Sequence, residues 1–282
     1  MPYRLKRASL DDVEVKIEFA TQQLHALDVE FDDRRESGQY RYSVEICRGG
    51  LDHVYRAVDP PPVGRYWGAQ IGAVAHALRS SLEHLAWQLV IANEGSPNNA
   101  THFPIYRRRP NNGGTVGVMG GVASAALAII EVAQPYNGTA DGKKLGAIHD
   151  LDVFDKHREL VVAAACVELA STHGPAPLPQ SSITFTRRSL DKGAIVAIVK
   201  YAEPQPEADP NLTFIPYMTF GVGSPFRGEI VSAFMWDLLA FVQNDFVPRF
   251  HLWVPPPLRQ ANLPSLIRSR VVAANMVSTN ED

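Results

Sequence analysis

The chain has 282 residues, with 27 basic and 30 acidic side chains, a net charge of -3, 45% apolar and 20% charged residues. That composition excludes wholesale disorder. The balanced charge excludes a global positive field that would draw the protein onto nucleic acid, so any RNA or DNA contact has to come from a local patch.

Two cysteines, Cys47 and Cys166, are too few for a disulfide framework or a four-thiolate zinc site. The basic residues at the start, Arg4, Lys6 and Arg7, are followed by no apolar core, so no signal peptide is expected. The most apolar stretches, Val122–Ala133 and Leu160–Ala170, fall short of the roughly 18 residues that span a bilayer. The expectation is a cytoplasmic protein without a membrane partner.

In chain order, the first element is a helix over Leu10–Phe31. Leu10, Val13, Ile17, Ala20, Leu24, Leu27 and Phe31 repeat at the 3-4 spacing of one apolar stripe. Ser9 is the expected N-cap, with Asp12 completing a capping box. A hairpin over 40–58 follows. Tyr40, Tyr42, Val44 and Ile46 alternate with polar residues, Gly49-Gly50 supplies the turn, and the return strand over Leu51–Val58 alternates more weakly. Pro60–Pro62 ends it.

The second helix, Tyr66–Ala92, carries the clearest stripe: Trp67, Ile71, Val74, Leu78, Leu82, Leu85 and Leu89. Asn93–Gly121 reads as a long irregular loop, of a length that often carries function. Val122–Ala133 reads as a helix apolar nearly all round, hence buried. A further helix is expected over Ala147–Glu159, and Leu160–Ala170 either extends it or switches to strand. Ile183–Phe185, Ala194–Tyr201 and Leu212–Phe220 are β-rich, and Val231–Phe246 returns to helix. Helices and strands do not alternate regularly, so a doubly wound sheet is not expected. The reading is an α+β protein: a bundle of about four or five helices with two antiparallel β insertions, the hairpin 40–58 and the strands 181–221. One domain is expected over 1–252, with a proline-rich C-terminal tail over 253–282.

Several familiar motifs are absent. The glycines Gly113, Gly114, Gly117, Gly120 and Gly121 follow no strand and precede no Lys-Ser/Thr pair, so they do not form a phosphate loop. The sequence contains no Gly-x-Ser-x-Gly elbow and no His-Glu-x-x-His zinc motif.

The second helix is the informative element. Away from its leucine stripe it carries His76, Arg79, Ser80, Glu83, His84 and Trp87, residues that transfer protons and bind anions. Arg79-Ser-Ser-Leu-Glu-His84 matches Arg-x4-His and resembles the signature of the HEPN superfamily, helical bundles that include metal-independent ribonucleases. The resemblance implies Arg79 and His84 as catalytic residues, with Glu83 beside them, RNA as substrate, no cofactor or metal, and a homodimer that builds a composite site. It departs from the family at Ser80, where Asn or Asp is usual, and in the β segments. On an ideal helix Arg79 and His84 lie about 140° apart.

A second constellation is Asp150-Leu-Asp-Val-Phe-Asp-Lys-His-Arg158. Its pairing with the Leu-Arg-Ser-x-Leu-Glu-His helix, together with Phe103-Pro-Ile and Gln134-Pro-Tyr, resembles a group of uncharacterised bacterial proteins, many of them actinobacterial. Asp155 can pair with Arg158 at i, i+3, Asp150 shares a face with His157, and His157 and Arg158 are candidate site residues. The basic run Arg107, Arg108 and Arg109 beside Phe103 and Tyr106 is a candidate RNA contact.

Three functions follow as alternatives: a HEPN-like ribonuclease or RNA-binding relative; a non-enzymatic interaction protein whose polar motifs are structural; and a metalloenzyme that uses His76, Glu83, His84 and the Asp150–His157 helix.

Overall fold

The computed structural model describes residues 7–36, 41–58, 65–111, 119–157, 162–171, 181–185, 192–207 and 212–256. The fold is α+β, with five α-helices and six strands among the described residues.

Helix α1 (Asp11–Glu36) and helix α2 (Arg65–Ala92) form where the apolar stripes predict them. Every residue of both stripes is buried, from Leu10 to Phe31 and from Trp67 to Leu89. The start of α1 is capped differently from expectation. Ser9 Oγ accepts the Asp11 N–H at 3.1 Å, but the Ser9 N–H donates to Gln88 Oε1 on α2 at 3.0 Å. The reciprocal bond assigned to Asp12 is thus made by a residue 79 positions away.

Helix α3 (Ser124–Val132) buries only Ala126 and Ile130, and Val132 is 62% exposed. A nine-residue helix that presents one face to the core leaves its other small and apolar residues half-buried or exposed, so all-round burial does not hold. Helix α4 (Ala140–His157) begins seven residues before the expected start, with the Thr139 hydroxyl accepting the Gly142 N–H. From Val162 to Ser171 the chain is strand, so the Leu160–Ala170 stretch does not continue the helix over its described part. Helix α5 (Val231–Ala240) gives way to a wider π-helical turn over Phe241–Phe246 and a 3-10 turn over Val247–Phe250.

Strands β1 (Tyr42–Cys47), β2 (Asp52–Ala57), β4 (Ser181–Phe185) and β5 (Ile195–Tyr201) form one antiparallel sheet in the order β1-β2-β5-β4. Strands β3 (Val162–Ser171) and β6 (Leu212–Phe220) make a separate two-stranded ladder. The two β regions read as separate insertions therefore share a sheet, while β6 leaves its sequence neighbours to pair with β3. The hairpin's burial is also reversed. β1 is an edge strand and exposes Val44 and Ile46, whereas β2 buries His53, Tyr55 and Ala57 in strict alternation. At the turn between them Gly50 has a φ of +95°, and a Cβ there would lie 2.8 Å from the Gln205 carbonyl oxygen. That carbonyl is also held 2.8 Å from His53 Nε2.

The chain divides into two compact units built from non-contiguous stretches. One comprises Met1–His25, Gln70–Arg158 and Ala233–Asp282; the other comprises Ala26–Ala69 and Glu159–Ser232. Helices α1, α2 and α5 each contribute residues to both. In the first unit, Phe103, Phe241, Phe246 and Phe250 form an aromatic chain through Phe246, with centroid distances of 5.4 to 5.8 Å. Trp253 and Val254, which fall in the expected tail, belong with this core: Trp253 lies against Phe250 and Val254 is fully buried. Residues 257–282 of that tail lie outside the described residues. Among the described residues no helix is long and apolar enough to cross a membrane.

Leu82, fully buried at the middle of the α2 stripe, tests the core. Leu82→Ala is expected to cost about 2–5 kcal/mol, read as a shift in the urea unfolding midpoint. A loss below about 1 kcal/mol would place Leu82 outside the core.

Candidate active site

The polar faces of α2 and α4 carry the same spacing. His76, Arg79 and Glu83 stand at i, i+3 and i+7 on α2; His149, Asp152 and Lys156 stand at i, i+3 and i+7 on α4. Such spacing aligns side chains along one stripe of each helix. The two stripes, with Ser80, line an open cleft of about 260 Å³.

Two networks organise the cleft. In the first, His76 Nδ1 lies 2.8 Å from Asp152 Oδ1, and Lys156 Nζ donates to Asp152 Oδ2 at 2.7 Å. Asp152 is 4% exposed and His76 57%, so a buried carboxylate orients an imidazole that remains open to solvent. The second network is a closed clamp on the loop. Glu83 Oε2 accepts the Phe103 N–H at 2.6 Å, Arg79 Nη2 donates to the Phe103 carbonyl at 2.9 Å, and Arg79 and Glu83 pair at 2.5 Å. The Arg79 side chain is only 12% exposed. Burial pulls its pKa down and Glu83 and Asp152 push it back, so it stays a cation. Gln134, fully buried, extends the clamp by donating to Pro104 and Ile130 carbonyls and accepting the Tyr106 N–H. The long loop is therefore fixed over residues 103–106.

Two buried nitrogens in the cleft walls, Arg79 Nη1 and His149 Nδ1, have no hydrogen-bond partner among the described residues. A donor left in that state costs about 1–3 kcal/mol. The pKa of His149 is lowered from its ordinary value, first by burial and then by the Arg79 cation, so its imidazole is neutral at pH 7. That of Asp155 is raised by burial and by the Asp152 charge. Its carboxyl lies where a side chain on Gly72 would begin: a Cβ there would fall 2.0 Å from Asp155 Oδ1.

The residues expected from sequence are only partly brought together. Arg79 and Glu83 are joined in the clamp. His84 faces a second depression, about 600 Å³, with Trp87, Asp11 and Asp12, and Glu83 borders both. The helix geometry explains the separation, because five residues turn Arg79 and His84 away from each other. His157 is exposed at the end of α4, and Arg158, with its expected pairing to Asp155, lies outside the described residues. Asp150 and His157 stand at i and i+7 of α4, and Asp150 pairs with Arg107. Arg109 pairs with Glu131 at 3.0 Å and lies over the Tyr136 ring, while Arg108 is exposed. Two of the three loop arginines are thus tied to the fold. Among the described residues no group of three or more His, Cys, Asp or Glu side chains is arranged to hold a metal ion. His149 is missing from the candidates read from sequence, and Asp152 and Lys156 enter there only within the Asp150–Arg158 motif; the three carry a signal in their matched spacing with α2.

No family model, no curated protein and no solved structure matches the chain.

The neutral state of His149 has a consequence for stability. Its folded pKa lies below the unfolded value of about 6.5, so below that pH the unfolded chain takes up a proton that the folded chain resists. Stability should therefore fall as pH drops from 7.5 to 5. His149→Gln should lose less over the same range, measured by urea midpoints. An equal or steeper loss in the variant would mean that the folded imidazole accepts the proton.

Proposed function

We propose that the protein binds RNA and cleaves it without a metal ion, at the α2–α4 cleft and with His76 rather than His84 as the proton-transfer group. The observation that carries this reading is the 2.8 Å contact between the open His76 ring and the buried Asp152 carboxylate. A carboxylate on Nδ1 fixes the imidazole's orientation and tautomer and leaves the other ring nitrogen to exchange a proton with substrate. RNA suits such a site because it brings its own nucleophile, the ribose 2′-hydroxyl next to each phosphodiester. His76 takes the hydroxyl proton as the oxygen attacks phosphorus; the P–O5′ bond breaks, the 5′-oxygen leaves with a proton taken from water, and His76 returns its own proton to solvent. Lys156, half exposed on the cleft edge, supplies positive charge to the phosphate. The roughly 260 Å³ of space suits a phosphate and its ribose rather than a whole nucleotide.

This reading keeps the ribonuclease chemistry implied by Arg-x4-His but not its residue roles. Arg79 is engaged by Phe103 and Glu83, and His84 opens on the other depression. It requires no composite dimer site. The same clamp favours a second reading, in which the protein is a non-enzymatic RNA-binding or interaction protein and Arg79 and Glu83 serve the fold alone.

The test is incubation of purified protein with mixed single-stranded RNA in EDTA. Cleavage is expected, with 2′,3′-cyclic phosphate ends and DNA left intact. His76→Ala and Asp152→Asn should slow it by about 10²–10⁴-fold, with far-UV circular dichroism unchanged. His84→Ala should cut at close to the wild-type rate. RNA left uncut by the wild-type protein would favour the second reading, and equal loss in His76→Ala and His84→Ala would return the site to the Arg-x4-His pair.

A further inference from the structure

We propose that the outer edge of β1 docks a second copy of this chain, paired antiparallel about Val44, so that two four-stranded sheets become one. The inference is independent of the RNA reading above.

The ladder inside the hairpin shows which backbone groups face that edge. β1 and β2 pair from Tyr42↔Ala57 to Cys47↔Asp52 without a bulge, and just beyond them the Val58 N–H donates to the Arg41 carbonyl at 2.9 Å. Hydrogen-bonded pairs in an antiparallel ladder recur at every second residue. Ser43, Glu45 and Cys47 therefore bond inward to β2. The N–H and C=O groups of Val44 and Ile46 point the other way, to the side on which the sheet order ends. The same alternation turns Ala57 toward the β5 side, and there it donates to the Ala194 carbonyl and accepts the Gly193 N–H.

The side chains mark the same edge. Val44 and Ile46 stand directly opposite Tyr55 and His53, so they share the covered face of the sheet. They are nevertheless 37% and 40% exposed, because no further strand lies beside them among the described residues. The usual protections of an edge strand are missing. β1 has no proline, lysine or bulge, and its single charge, Glu45, is paired with Arg56 at 3.3 Å. Such an edge takes up another strand through main-chain hydrogen bonds.

The strand is complementary to itself in one register. With Val44 opposite the partner's Val44, the two residues exchange backbone bonds, Ile46 meets the partner's Tyr42, and Glu45 meets the partner's Ser43. The apolar row begun by Tyr55 then continues across the junction. Placing Val44 opposite the partner's Ile46 instead sets Glu45 directly against the partner's Glu45, and like charges so placed are destabilising. The remaining registers carry Val44 or Ile46 past an end of the partner's strand. Because both copies use the same edge, the contact closes at two chains.

The test is sedimentation equilibrium of the full chain over a wide range of concentration, where a reversible monomer–dimer equilibrium is expected. Val44→Pro removes an N–H that the internal ladder does not use, so the fold should persist while the dimer weakens at least about tenfold. Ile46→Lys should weaken it similarly by placing a charge at the edge. Far-UV circular dichroism should match the wild type in both. The register is read by cross-linking in a Cys47→Ser, Cys166→Ser background. Val44→Cys should give a disulfide-linked dimer on mild oxidation, since a hydrogen-bonded antiparallel pair holds its Cα atoms about 5.5 Å apart. A wild-type chain that stays monomeric at every concentration would overturn the proposal, as would a dimer that both edge variants leave intact. Ready cross-linking of Ile46→Cys with none in Val44→Cys would overturn the register.

Discussion

The clamp of Arg79 and Glu83 on the Phe103 backbone is the constraint around which the site is arranged. Phe103 is fully buried, and its ring packs on Phe246 in the aromatic core. Burying that ring takes the adjacent peptide groups out of water, and among the described residues no strand pairs with them. Two side chains from α2 do so instead, one donating and one accepting. This commits Arg79 to an inward rotamer, and the inward rotamer brings a positive charge beside His149. The charge state of the cleft thus follows from how a loop is anchored.

The helical part of the fold was largely legible in the sequence, and the reason is physical. A stripe of seven apolar residues on α1 or α2 is a local pattern with one geometric solution. Sheet pairing is not local. Tyr42, Val44 and Ile46 alternate as well as any half-buried strand, yet β1 is an edge strand, and the weaker pattern of β2 is the one buried. Which strand lies at the edge depends on β5, more than 130 residues away, and no period within the hairpin encodes it. The early start of α4 escaped because Gly142 and Gly146 weaken the helical pattern there, while the Thr139 cap is a single-residue signal.

The site was legible in composition but not in pairing. The polar face of α2 stood out, and the Arg-x4-His spacing drew attention to Arg79 and His84. That spacing places the two residues on divergent faces, and the fold keeps them apart. The informative relation lies between helices. His76 meets Asp152 across 76 residues of sequence, and the matched i, i+3, i+7 stripes are the only linear trace of it. Like the loop arginines, which meet Asp150 and Glu131, these residues show their roles only once partners distant in sequence are known.

Gly72 carries a wider consequence. Asp155 occupies the space that any larger residue at position 72 would claim, and Asp155 lies one turn from the carboxylate that holds His76. The two positions are therefore a single unit of inheritance. A lineage that gains a side chain at 72 has to turn the Asp155 carboxyl aside, replace it, or widen the gap between the helices. Among diverged descendants of this chain, the two columns of an alignment should change together.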